Sequence, residues 1–160
     1  MKASGESGWR RWLLGPICAQ LGKGITVERV SWTIALGVVL GVFPIMGSTT
    51  LICFAAGWLL RLNQPLLHVF KTLVYPLHLA LILPFIRLGE RLHGVPLIRF
   101  SIQELFVRFQ NDPLQFAKDF GLAAWHGVSA WLLVAPVAAV LIKLSVNPLV
   151  RHLANRRAAA

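Results

Sequence analysis

The chain has 160 residues, of which 56% are hydrophobic and only 14% charged, with a mean hydropathy of +0.66. A soluble domain carries about 25% charged residues, so these polar groups are too few to cover a water-facing surface, and apolar surface must face lipid or other subunits. The formal net charge is +10, from 16 Lys and Arg against 6 Asp and Glu. A nucleic-acid partner is set aside. The basic residues form no patch interleaved with aromatics; they gather at both termini and between apolar runs, where the positive-inside rule places them. Anionic lipid head groups are their natural partner.

Residues 1–29 read as a basic, cytoplasmic, interfacial segment. Within it, residues 8–21 form a short amphipathic stretch lying on the membrane, with Trp9 and Trp12 as anchors. Gly15-Pro16 interrupts the stretch too early for the apolar core of a signal peptide or a twin-arginine leader. Cys18 and Cys53 have neither disulfide-framework nor metal-site spacing.

The first apolar run, Val30 to Leu60, is about 31 residues long. As one helix it would measure ~46 Å against a hydrocarbon core of ~30 Å. The sequence breaks it at Phe43-Pro44-Ile45-Met46-Gly47-Ser48-Thr49-Thr50. Pro44 removes a helical donor, Gly47 permits a turn, and Ser48 or Thr49 can cap a new helix. The expected result is two half-helices of ~20 Å each, either a re-entrant hairpin, which is favoured, or one kinked and tilted span.

The second run, residues 66–86, is expected to break at Tyr75-Pro76 and again near Pro84. On a continuous helix His68, Lys71, Thr72, Tyr75 and His78 would share an arc of roughly 120°, with Gln64 and Arg61 projecting onto it. Ionisable groups at membrane depth usually face a bundle interior or water. A stripe of this kind could hold an anionic head group.

Residues 87–120 are more polar. Ser101-Ile102-Gln103-Glu104 fits a capping box, and Ile102, Leu105, Phe106 and Phe109 follow at helical spacing, so residues 97–119 read as amphipathic and interfacial. Asn111-Asp112-Pro113 closes one helix and can cap the next. The last run, 122–146, is long enough to span the core; Lys143 can snorkel outward, and Asn147-Pro148 is expected to end the helix. Residues 147–160 form a basic cytoplasmic tail. Two cytoplasmic ends require an even number of crossings. One arrangement makes the first run re-entrant and lets the other two cross, which leaves the arginines of 87–120 outside, against the rule. The alternative makes the second run re-entrant as well, which brings the middle segment inside and misplaces one terminus.

The sequence Ile34-Ala35-Leu36-Gly37-Val38-Val39-Leu40-Gly41-Val42-Phe43-Pro44, then Gly47, Ala55-Ala56-Gly57, Leu60-Arg61-Leu62-Asn63 and Leu88-Gly89 resembles an uncharacterised bacterial membrane family, domain of unknown function 2062. The resemblance runs from Arg29 to about Gly94 and implies that residues 30–146 form an integral membrane domain. The family usually has an Asn-Pro pair where this chain has Tyr75-Pro76, so a role for that Asn is not carried over. Some members look fused to glycosyltransferase domains. A fainter likeness is to the DedA group of lipid carriers, which usually place an Arg just after the break, where this chain has Ser48-Thr49-Thr50.

The expected fold is therefore all-α: a small polytopic membrane bundle of Pro/Gly-broken helices with interfacial amphipathic helices, multi-pass in the bacterial inner membrane. The expected ligand-binding residues are Arg61, Asn63, Lys71, Thr72, Tyr75, His78, Gly47, Ser48 and Thr49; Pro44, Gly47 and Pro76 are the expected helix breaks. No phosphate loop, nucleophile elbow or poised carboxylate pair is found, and no catalytic residue, metal or cofactor is expected. The expected function is handling an anionic lipid or lipid-linked envelope precursor. The alternative is an accessory subunit or scaffold for an envelope-synthesis enzyme, or a homo-oligomer, with the close-contact face Gly37-x-x-x-Gly41 as its motif, although packing within the same chain is the favoured reading of those glycines.

Overall fold

The computed structural model describes residues 15, 17, 25–45, 47–95 and 111–158. The anchors Trp9 and Trp12, Cys18, and the capping box and apolar face of Ser101 to Phe109 lie outside the described residues. Among the described residues there are five helices and no strand: α1 (Val27–Gly41), α2 (Thr49–Leu59), α3 (Gln64–Leu73), α4 (Tyr75–His93) and α5 (Pro113–Ala158).

Each helix boundary has a local chemical cause. Thr26 caps α1, its hydroxyl accepting from the Arg29 amide at 3.4 Å. Pro44 disfavours helical geometry at Phe43, and α1 stops before it. Gly47 then adopts φ 86, which a side chain would resist, and α2 begins at Thr49. It ends in a left-handed turn at Arg61 (φ 51), with the Leu62 amide donating to the Gly57 carbonyl at 2.8 Å. Asn63 caps α3 by accepting from the Leu66 amide at 3.0 Å, with Pro65 in the first turn.

The first run thus folds into two short helices side by side. Thr50 lies with Lys71 and Gly41 at one end of the pair. Leu60 and Leu62 lie with Arg29 and Trp32 at the other. Helix α3 packs along α1. A Cβ on Gly37 would stand 2.8 Å from the Leu67 carbonyl oxygen, and one on Gly41 would stand 2.6 Å from Val74 Cγ2. The glycine face is therefore spent on contact within the chain, which removes the observation that motivated an accessory-subunit reading.

The second run bends by 67° between α3 and α4. The bend falls at Val74, and Pro76 occupies the first turn of α4, where a missing donor costs nothing. Pro84 does not break the helix, contrary to expectation: α4 runs on to His93 and stops at Gly94, whose φ is 65. A proline deletes one helical donor and kinks a helix without necessarily ending it. The same correction applies at Asn147-Pro148. Helix α5 passes through both Pro136 and Pro148 and is 46 residues long, roughly 69 Å. Asn147 does not act as a terminator; its side-chain oxygen receives the Ser31 hydroxyl at 3.5 Å. The start of α5 is as the sequence indicates, with the Asp112 carboxylate accepting from the Gln115 amide at 2.9 Å.

The main core joins α1, α2, α3, α4 and α5 through Val39, Phe43, Cys53, Leu67, Phe85 and Trp131. Ser31, Thr33, His78 and Glu90 are buried, while Leu51, Phe54, Trp58 and Leu59 of α2 are 61–76% exposed. Polar groups inside and large apolar side chains outside reverse the usual arrangement of a water-soluble domain. Among the described residues one helix, Lys118–Arg156 within α5, is long and apolar enough to cross a membrane, or two if the bent pair α3–α4 counts as one span.

Trp131 ties this core to the end of α1. The Phe43 amide bonds to Leu40, and the Trp131 indole N–H donates to the Val39 carbonyl at 3.2 Å. The Phe43 and Trp131 rings meet edge to face at 5.0 Å. Trp131→Phe keeps an aromatic ring but leaves that carbonyl without its donor in a dry site. The expected loss is about 1–3 kcal/mol, read as a lower melting temperature in detergent; an unchanged melting temperature would refute the capping role.

Candidate functional site

The break between α1 and α2 carries three hydroxyl side chains at the first turn of α2: Ser48 is half-buried, Thr49 is buried and Thr50 is exposed. The Ser48 hydroxyl donates to the Ile45 carbonyl at 3.0 Å and gives no side-chain cap to α2. The amides of that first turn therefore present the positive end of the helix with no side-chain acceptor of their own. Lys71 reaches this turn from α3, and its ammonium donates to the Thr50 hydroxyl. Two parts of the sequence more than twenty residues apart, the Gly47–Thr50 break and the polar face of α3, thus form one electropositive cluster.

The remaining residues expected at the site divide. The Thr72 hydroxyl turns back onto the His68 carbonyl at 2.9 Å. Tyr75 is about half exposed and stacks on His78 with ring centroids 6.0 Å apart, whereas His78 is only 2% exposed. The bend at Val74 splits the stripe, so Tyr75 and His78 do not continue the Lys71 face as they would on one straight helix. Arg61 and Asn63 sit at the far end of α3. Asn63 is the helix cap, and Arg61 lines a separate cleft of about 510 Å³ with Gly57, Trp58 and Gln64. Among the described residues no group of three or more His, Cys, Asp or Glu could hold a metal ion.

A second charged feature lies at the opposite end of α1. The Lys143 ammonium meets the Glu28 carboxylate at 2.8 Å and lies 5.5 Å from the Trp32 ring centre. Lys143 therefore has defined protein partners as well as the outward reach the sequence suggests. The Lys143 hydrogen bond and charge hold the Glu28 carboxyl below the usual carboxylate range. The sign of the pH effect follows. The stabilisation is complete above the ordinary carboxylate range and is lost as pH falls through Glu28's own lower value. Because Glu28 is mostly exposed, the effect should be small and should shrink with salt. Melting in detergent is expected to weaken slightly on acidification, and Lys143→Met should flatten that part of the profile. A slope unchanged in Lys143→Met would reject the pairing as its source.

Sequence reasoning placed Thr50 in the break but not in the ligand set, and it did not pair Glu28 with Lys143. Local pattern shows neither which of three consecutive hydroxyls a lysine on another helix will reach nor which carboxylate a distant lysine will meet.

These features define an all-helical protein with broken helices, an apolar exterior and an electropositive cluster at one break. The chain belongs to the family described as "Uncharacterized protein conserved in bacteria (DUF2062)", whose family model matches residues 23–159. The match extends well beyond Gly94 and takes in all of α5. No curated protein and no solved structure matches the chain.

Proposed function

We propose that this chain is a multi-pass inner-membrane protein that binds the anionic head group of a lipid, or of a lipid-linked envelope precursor, at the break between α1 and α2. The observation that carries this reading is the placement of Lys71 against the first turn of α2. A cation at the positive end of a helix is electrostatically misplaced, since helix N-termini favour negative charge. A phosphate seated between Lys71 and the α2 amides would make both interactions favourable, and the hydroxyls of Ser48 and Thr50 would supply further hydrogen bonds, Thr49 being buried.

The apolar exterior supports the membrane setting. Helices α1 and α2, 15 and 11 residues long, are each too short to cross a core of ~30 Å. A re-entrant α1–α2 pair would put the break at membrane depth, bordered by α3 and α5. Phe43 and Pro44 are buried against Trp131 and Gly127 of α5, while Gly47 and Thr50 at the turn itself are exposed. Bound on this cluster, a head group could enter the protein while its chains remain in lipid. The test is reconstitution in vesicles holding a fluorescent polyprenyl phosphate, with accessibility to an external quencher as the readout. A protein-dependent rise in accessible label is expected; no rise over empty vesicles would overturn the carrier reading.

A further inference from the structure

At the other end of α1 an open groove of about 550 Å³ runs between α1 and the α2–α3 turn. Its volume is within the roughly 300–1,000 Å³ of ligand clefts. Arg29, Trp32 and Leu36 line one wall, and Leu60 and Leu62 the other. The first three are spaced i, i+3 and i+7, so they share a face of α1 and form a graded strip. A cation stands at the mouth, an amphipathic ring one turn deeper, and an aliphatic side chain about 10 Å from the cation along the axis.

The charges at the mouth choose the occupant. Glu28 also borders the groove, but its carboxylate is held by Lys143 at 2.8 Å. Arg29 forms no ion pair among the described residues. The mouth therefore offers one uncompensated guanidinium, a group whose planar fork suits the two oxygens of a phosphate. The groove behind it is lined by aromatic and aliphatic side chains that suit a hydrocarbon chain.

We infer that this groove is a binding site for an anionic phospholipid, with one acyl chain along Trp32, Leu36, Leu60 and Leu62 and the phosphate on Arg29. It is distinct from the Lys71 cluster. The two lie near opposite ends of α1, roughly 18 Å apart along its axis. The inference shares with the proposed function the membrane setting, but not the role of Lys71.

The test is native mass spectrometry of the full chain in detergent, titrated with phosphatidylglycerol or phosphatidylcholine of identical acyl chains. The wild type is expected to retain phosphatidylglycerol about tenfold more tightly, as one charged hydrogen-bonded contact warrants. In a Lys71→Met background, where the other site has lost its charge, Arg29→Gln should bring the two lipids to parity, and Arg29→Lys should restore part of the preference. Leu36→Trp, which fills the groove, should weaken both lipids. Arg29 is exposed, so Arg29→Gln should fold normally, and its melting curve checks this. Equal retention of the two lipids by the wild type, or an unchanged preference when Arg29→Gln is added to a folded Lys71→Met variant, would overturn the site. Lys71→Met separates the two sites: a preference for phosphatidylglycerol should persist in it even where vesicle accessibility is lost. Loss of the preference in Lys71→Met would show that Arg29 is not its source.

Discussion

Gly89→Ala is expected to cause the largest structural loss of any glycine-to-alanine change among the described residues. A Cβ at Gly89 would collide with the backbone of His126, its carbonyl carbon and oxygen included. Backbone cannot rotate aside as a flexible side chain can, so α4 and α5 would have to separate. That separation would uncover Glu90 and His126, which are buried at this end of the molecule, and disturb the His93 and His126 rings, whose centres are 4.9 Å apart. Overpacking usually costs about 1–3 kcal/mol, and a clash with rigid backbone should reach or pass the top of that range. The measurements are melting temperature and the monodisperse fraction in detergent. Gly121→Ala is the matched control. Gly121 lies in α5 with no atom near the site of an added methyl group. Alanine there should be neutral or better by up to about 1 kcal/mol, from helix propensity alone. A tolerated Gly89→Ala would refute the close α4–α5 approach.

The features legible in the sequence were those set by local chemistry. Pro44 and Gly47 act on their own backbone, so the end of α1 and the turn before α2 could be read directly. Asp112 and Pro113 likewise mark the start of α5 through one side-chain acceptor and one absent donor. The same reasoning failed at Pro84 and Pro148, because helix continuation there depends on what surrounds the helix. A proline removes only one donor, whereas leaving the helix would give up several hydrogen bonds.

The polar stripe is bent where the sequence expects the run to break. A helical wheel assumes a straight axis, and across the 67° bend at Val74 His78 is buried while Tyr75 stays half exposed. Lys71 meets its partner, Thr50, on a different run. The glycines were legible as a close-contact face, but whether that face met α3 or another protein was a tertiary fact. In the structure Gly37 meets Leu67 and Phe70, and Gly41 meets Lys71 and Val74. The first of these glycines fixes the α1–α3 approach, and the second brings the backbone of Lys71 against the end of α1. That approach lets the lysine reach Thr50 across the break, so the packing motif and the candidate site are mechanically one feature.

Lys71→Met should therefore separate binding from folding. Methionine keeps much of the lysine's length and its apolar stem but has no charge and no donor. If Lys71 binds a head group, the variant should insert and melt within about 1 kcal/mol of the wild type, since its contact to Thr50 is a single partly exposed hydrogen bond. Head-group binding should fall by roughly 10- to 100-fold, as expected when a charged donor to phosphate is removed. Protein-dependent accessibility of the labelled polyprenyl phosphate should fall with it. Lys71→Arg should recover part of the activity, because charge is kept while the shape of the donor changes. Thr50→Val should show a smaller loss, because it removes one hydroxyl and leaves the ammonium in place. The competing account makes Lys71 a depth anchor that snorkels to head groups and binds nothing in particular. On that account Lys71→Met would shift helix depth, seen as altered cysteine labelling near Arg61 and Gly94, while lipid accessibility in the vesicles stayed at the wild-type level. That pair of results would remove the anion site, whereas lost accessibility with unchanged labelling would establish it.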